Sequence, residues 1–247
     1  MALSKFCTAE SKSVIFFDLN NTLIDPERTF EAAFLATIGE YTGRWDVSGN
    51  VAEAALADYR SEWRRLGGKG LAGGPPERRL ACLAAALRSL PLAASPGALK
   101  ALDAGIRRQR ELRPQLFPNT LPALSRIAER YRTAVISNGS KEKLLRRLTA
   151  AGLAPLLPPE RLFAPGPGKA GKPAPELFRR ALDAMGAKPD QAVLVGDSRH
   201  NDVNGALAAG MDAVWIRREL KNSPSLKKTG KGSILIVRSL NELEKYI

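Results

Sequence analysis

The sequence is poor in cysteine, in histidine and in long apolar runs. Its 247 residues include two cysteines and one histidine. Cys7 and Cys82 lie far apart and lack metal-ligand spacing. Reduced thiols are the simplest account, with a single disulfide as the disfavoured alternative. No window reaches the ~18 continuous apolar residues that a membrane-spanning helix needs. The opening MALSKFCTAESKS has no apolar signal core followed by a cleavage site. No internal repeat is visible, and no aromatic-basic module of the RNA-binding type. These absences point to a soluble cytoplasmic protein.

Positive charge is what the chain has in excess, 38 Lys and Arg against 25 Asp and Glu, a net +13. The basic residues are spread in pairs such as Arg64-Arg65, Arg78-Arg79, Arg107-Arg108, Arg146-Arg147 and Lys227-Lys228. Most fall on helical-looking stretches and read as solvated faces. A nucleic-acid partner is therefore disfavoured, and a field that draws in small anionic molecules fits. The ordinary hydrophobic share allows one large domain, or a core with an insert.

The apolar pattern favours the second arrangement. Val14-Ile15-Phe16-Phe17 reads as a short buried parallel strand. Residues 26–113 then change character: TFEAAFLATIGEY, VAEAALADYRSEW, RRLACLAAALRSL and ALKALDAGIRRQREL have helical spacing, with breaks at GGKGLAGGPP and PLAASPG. They predict an all-helical insert in which Tyr59 and Trp63 pack rather than bind a ligand. Asp25 caps its first helix. After FPNT, helices and strands alternate: LPALSRIAERY, TAVIS, SKEKLLRRLTAAGL capped by Ser140, PELFRRALDAMG closed by Gly186, AVLVG, DVNGALAAG, AVWI, ILIV and SLNELEKYI. KNSPSLKKTGKGS is expected to be a mobile loop. The fold class predicted is α/β, a doubly wound parallel sheet over 1–25 and 114–247 with a helical domain inserted at 26–113. Apolar insert helices leave monomer and homodimer both open.

Such sheets place their sites beyond the carboxyl ends of the strands. After VIFF comes Asp18; after TAVI, Ser137 and Asn138; after AVLVG, Asp197 and Ser198. GKAGKPAPELF sets lysines just before a helix. Asp18 can attack phosphorus. Carboxylate and phosphate repel, so a divalent cation and fixed positive groups must cancel that repulsion. Mg²⁺ favours oxygen ligands, which Asp18, Asp197 and a backbone carbonyl could supply. Thr22 and Ser137 hydroxyls and loop N–H groups could hold phosphate oxygens. Lys172 could neutralise both anions, and Asp202 could hold Lys172 or a metal-bound water.

In order and placement these residues resemble the haloacid dehalogenase superfamily, in its phosphatase-like branch with a helical cap. DLNNT matches its D-x-D-x-T except at the third position. Ser137 in VISNGS, Lys172 in KPAPELF, and Gly196-Asp197-Ser198 with Asp202 match the other three motifs. The resemblance implies that Asp18 is a nucleophile forming an aspartyl-phosphate. It implies Mg²⁺ on Asp18, Asp197 and the main-chain carbonyl of Asn20, with Asp202 supporting the metal site. Ser137, Asn138, Thr22 and Lys172 would serve the phosphate. Lys169 is a rival to Lys172 without the Pro-x-Pro-x-x-Phe context.

The missing residue is the second acid. In family phosphatases, the acid two residues after the nucleophile protonates the leaving oxygen and later activates water. Asn20 can do neither, which removes about 10²–10⁴ in rate. A backbone ligand at that position survives the change. Three readings follow: a slow or atypical Mg²⁺-dependent phosphatase of a small phosphorylated metabolite, for example an acyl phosphate; a dehalogenase or phosphonate-cleaving hydrolase; or a binding protein without turnover. The metal-suited GDSRHND tells against dehalogenation, and nothing marks Lys69 or Lys100 as a Schiff-base lysine. His200 reads as a rim loop residue, Asn21 as a loop residue, and Arg107, Arg108 and Arg110 as a solvated hinge.

Overall fold

The computed structural model describes residues 6, 11–43, 50–71, 73–88, 90, 94–221 and 224–247. Cys7, part of PLAASPG, and Asn222-Ser223 lie outside them; Cys82 is a buried free thiol. The described residues form two compact units. One runs up to Ile24 and from Leu116 onward, and the other from Asp25 to Gln115. No described helix is long and apolar enough to cross a membrane.

The first unit opens with β1 (Val14–Phe17), and β2 (Ile24–Asp25) carries the chain toward the second unit. There, α1 (Pro26–Thr42), α2 (Val51–Arg65), α3 (Pro76–Ala86) and α4 (Pro96–Leu112) follow. Asp25 starts α1 by accepting the backbone N–H groups of Glu27 and Arg28 at 3.0 and 3.1 Å. That satisfies donors a helix start would otherwise leave bare. The core of this unit is aromatic. The Tyr59 ring stacks on Trp63 at 6.0 Å and meets Phe30 and Phe34 at 5.1 and 5.3 Å. Both residues named in the sequence as packing residues are buried there.

The chain re-enters the first unit through β3 (Gln115–Leu116), which pairs with β2. Then come α5 (Thr120–Ala128), β4 (Arg132–Ile136), α6 (Lys141–Ala150), β5 (Leu162–Phe163), α7 (Pro175–Ala184), β6 (Ala192–Gly196), α8 (Gly205–Ala208), β7 (Asp212–Ile216), β8 (Ser225–Thr229), β9 (Gly232–Val237) and α9 (Leu240–Leu243). Seven strands make one sheet in the order β5-β4-β1-β6-β7-β9-β8. All its pairs are parallel except β8 with β9. Period-2 alternation feeds both faces. Ile15, Phe17, Val135 and Val195 join one apolar cluster, and Val14, Phe16, Ile136 and Leu194 the other.

Two expectations change. The stretch taken as a mobile loop is, in its described part, a hairpin: Ser225 opposes Ile236 and Thr229 opposes Gly232. Its polarity belongs to an edge strand, where Lys227 and Lys228 discourage pairing with another chain. The helix expected over DVNGALAAG begins earlier and wider, as a π-helical stretch at Arg199–Asn204, and only Gly205–Ala208 is α-helical. Asp202 lies in that stretch, of the kind often found at functional sites.

Candidate active site

β1 lies between β4 and β6, so chain order reverses around it and a crevice opens at the strands' carboxyl ends. Asp18 is the first residue beyond β1. Its N–H donates to Val195 O at 2.8 Å, which continues the parallel ladder by one residue and points the chain into that crevice. The Asp18 side chain is nearly buried, at 10% exposure. Ser137, the first residue beyond β4, is fixed the same way by its N–H on Phe163 O at 3.1 Å.

Lys172 reaches the site from the loop before α7. Its ammonium donates to Asp18 Oδ1 at 2.6 Å, Asp202 Oδ1 at 2.6 Å and Ile136 O at 2.8 Å. All three N–H groups are thereby used. Burial works against the charged form, but Asp18 and Asp202 outweigh it and hold the lysine above its ordinary pKa. Asn138 ties the loop down. Its Nδ2 donates to Lys172 O at 3.0 Å, and its Oδ1 accepts from Lys172 N at 2.7 Å. Asn138 is therefore engaged with protein at both ends of its amide. Gly171 is needed for this approach, because a Cβ there would stand 2.3 Å from Asn138 Oδ1.

Ser137 Oγ donates to Asp18 Oδ1 at 2.9 Å. With Lys172 on the same atom, Oδ1 is saturated, and Oδ2 is the oxygen left for chemistry. Asp202 accepts the Ser198 N–H on Oδ2 at 2.9 Å. A Cβ on Gly196 would lie 2.3 Å from that oxygen, so β6 must end in glycine. Thr22 is buried, and its hydroxyl has no partner among the described residues. An orphaned buried hydroxyl of this kind suits an absent anionic ligand.

Ligand oxygens of Asp18, Asp197 and Asp202 lie within 4.8 Å of one another. Burial first, then Asp18 and Asp202, push the Asp197 carboxyl up to about 6. Lys172 answers only two of these three carboxylates. An all-oxygen donor set with one carboxylate unanswered fits a hard divalent cation such as Mg²⁺. Both oxygens of Asp202 are engaged, so Asp18 and Asp197 are the side chains with oxygens to spare.

Asn20 lies at the mouth of the β1 loop, and its Oδ1 accepts a hydrogen bond from the Arg147 guanidinium at 2.5 Å. Arg218 donates to the backbone carbonyls of Asn21 and Thr22 at 2.6 and 3.0 Å. Trp215 Nε1 donates to Asp197 O at 2.9 Å. Sequence reasoning missed all three supports. Arg147 was grouped with the solvated faces, yet it is three and seven residues on from Leu144 and Ser140, on the inward side of α6. Asn21 adopts φ 59°, a left-handed turn position to which Asn is suited. Lys169 is exposed and lines an open cavity with Phe163, Pro165 and Arg180. His200 is exposed as expected, though in the π-helical stretch rather than a loop. Arg107 pairs with Asp103 at 3.4 Å, and Arg110 lies over the Phe30 ring at 6.0 Å.

A model of haloacid dehalogenase-like hydrolases matches residues 12–210. A phosphoserine phosphatase of Thermus thermophilus is 35% identical over 128 residues, 51% of this chain and 50% of that enzyme. The chain thus spans about half the length of that relative. A glyceraldehyde 3-phosphate phosphatase of Pyrococcus furiosus is 26% identical over 210 residues, 83% of this chain and 80% of that enzyme. A dehalogenase crystal structure with an intermediate complex superposes with TM-score 0.59 at 22% identity, covering 98% of this chain and 99% of the other.

Proposed function

The chain belongs to the haloacid dehalogenase-like hydrolase family, and from that premise we propose that it is a Mg²⁺-dependent phosphohydrolase. Its substrate class is a small phosphorylated metabolite, and its nucleophile is Asp18. The observation that carries this reading is the saturation of Asp18 Oδ1 by Ser137 and Lys172 beside a three-carboxylate cluster. One carboxylate oxygen is held, and its twin is left to attack. Phosphatases among the sequence relatives support the same class.

In the first step Asp18 Oδ2 forms a bond to phosphorus, and the P–O bond to the leaving group breaks. Lys172 holds the nucleophile's other oxygen and orients it through its 2.6 Å contact. Thr22 Oγ and loop N–H groups take phosphate oxygens. Asp18, Asp197 and the Asn20 carbonyl, with Asp202 in support, would hold Mg²⁺, which would supply charge neutralisation between carboxylate and phosphate. In the second step, water attacks phosphorus, the electron pair returns to Asp18, and the water's proton ends on the released phosphate. Asn20 provides no acid or base for either step, so the enzyme is slow on ordinary esters. The helical unit Asp25–Gln115 serves as the cap, and the protein acts in the cytoplasm on anionic small molecules rather than nucleic acid, as monomer or homodimer.

A second reading keeps the fold and changes the substrate. Dehalogenases share the fold, and Asn20 departs from the phosphatase pattern, so haloacid or phosphonate cleavage is the alternative. A ligand-binding role without turnover is the third. A panel of phosphomonoesters, acyl phosphates and haloacids separates the three, assayed with and without Mg²⁺ on wild type and Asp18→Asn. Metal-dependent phosphate release that is lost in Asp18→Asn supports the first reading, halide release the second, and ligand binding with no product the third.

A further inference from the structure

Arg147 and Asn20 meet at the one position where the catalytic pattern is broken. An amide has an accepting end and a donating end. The Arg147 guanidinium occupies the accepting end, Asn20 Oδ1. Among the described residues no hydrogen bond engages the Nδ2 end, and Asn20 is half-buried rather than solvated. With its oxygen taken, the residue standing in the acid's place has N–H rather than oxygen left to offer. A cation stands directly behind it. Arg147 is presented from α6, whose start is fixed by the Ser140 cap on Lys143 N at 3.4 Å. Leu144 and Leu148 bury the same side of the helix.

We infer that Arg147 is a positioning residue that orients the Asn20 amide as a hydrogen-bond donor to the departing oxygen, so that the site selects phosphoryl compounds whose leaving group departs as a stable anion. Acyl phosphates and phosphates of acidic phenols are that class. This rests on the phosphohydrolase reading above and deepens it. The chemistry balances without an acid. Asp18 Oδ2 bonds to phosphorus, the P–O bond breaks, and the electron pair stays on the leaving oxygen, which departs as carboxylate or phenolate. The amide N–H and the guanidinium behind it stabilise that developing charge without giving up a proton. Water then bonds to phosphorus, the Asp18–phosphorus bond breaks, and the water's proton ends on the phosphate released. Alkyl phosphates turn over slowly because an alkoxide is a poor leaving group when unprotonated.

The test is a series of aryl phosphates of graded phenol acidity, with acetyl phosphate and an alkyl phosphate, on the full chain with Mg²⁺. Wild type is expected to slow steeply as the leaving phenol becomes less acidic, with acetyl phosphate at least about tenfold faster than the alkyl ester. Arg147→Met should lower kcat on acetyl phosphate by about tenfold or more with KM little changed, toward the ~10²–10³ loss typical of an oxyanion donor. Arg147→Lys should recover part of it, and equal thermal melting of the variants excludes misfolding as the cause. Rates independent of leaving-group acidity, or an Arg147→Met variant with wild-type kcat, overturn the inference. If Asp18→Asn abolishes turnover in that same case, the phosphohydrolase reading still stands. If Asp18→Asn hydrolyses the series like wild type, that reading falls, and the inference with it.

Discussion

Lys172 Nζ lies 2.6 Å from Asp18 Oδ1 with both side chains nearly out of solvent, at 2% and 10% exposure. A second contact of the same length joins the ammonium to Asp202. One cation thus holds two carboxylates from distant parts of the chain. Removing one partner of a buried ionic group leaves uncompensated charge, which costs about 3–5 kcal/mol. Lys172→Met is therefore expected to lower thermal stability by that order and to remove nearly all turnover. Mg²⁺ should restore stability more in the variant than in wild type, because it answers the freed carboxylates. Calorimetric melts with and without Mg²⁺ check this.

Asp197 sets a pH dependence. Its carboxyl is pushed up to about 6 from an ordinary 3.8 by burial, Asp18 and Asp202. The folded metal-free protein then holds a proton that the unfolded chain has lost between those two values. Stability from this group falls as pH rises through that window. Mg²⁺ needs the carboxylate, so its stabilising effect should be small at the acid end and grow once pH exceeds about 6. Melting temperature against pH, with Mg²⁺ and with chelator, is the measurement. Curves that stay parallel across the window would contradict it.

Gly196 is the tight point between β6 and Asp202. Gly196→Ala drives a methyl to within 2.3 Å of the Asp202 carboxylate. Overpacking of this kind costs about 1–3 kcal/mol. It should also displace Asp202 from Lys172, lowering kcat more than it lowers melting temperature. A fully active alanine variant would show that Asp202 does not need its present place.

Much of this was legible in the sequence, and the exceptions have physical causes. Apolar runs ending in polar residues located β1, β4 and β6, because strands buried on both faces have little else in them. Ser140 and Asp25 announced their helices through cap chemistry. The edge hairpin at Ser225–Val237 was misread because an edge strand carries the charges of a loop. The supports Arg147, Arg218 and Trp215 were hidden for a related reason. Their partners are a side-chain amide and backbone carbonyls, which leave no spacing in the sequence. Asn138 looked like a phosphate contact from its place beside Ser137, but the structure binds both ends of its amide to Lys172.

Asn20→Asp should convert the site toward general acid–base chemistry. Turnover of alkyl phosphates is expected to rise, within the ~10²–10⁴ that such catalysis contributes. Acyl phosphates should gain far less, since their leaving group needs no proton. Steady-state kcat on both classes, wild type against variant, decides it. An equal gain on the two would mean that the amide limits a step common to both, which is hydrolysis of the enzyme-bound phosphate.

The most direct test of the account is the covalent intermediate itself. Acid quench of the protein during turnover of phosphate-labelled acetyl phosphate with Mg²⁺ should leave label on the peptide carrying Asp18. The label should be absent from Asp18→Asn and should disappear when substrate is exhausted. Wild-type hydrolysis with no label on that peptide, and with Asp18→Asn equally active, would contradict it.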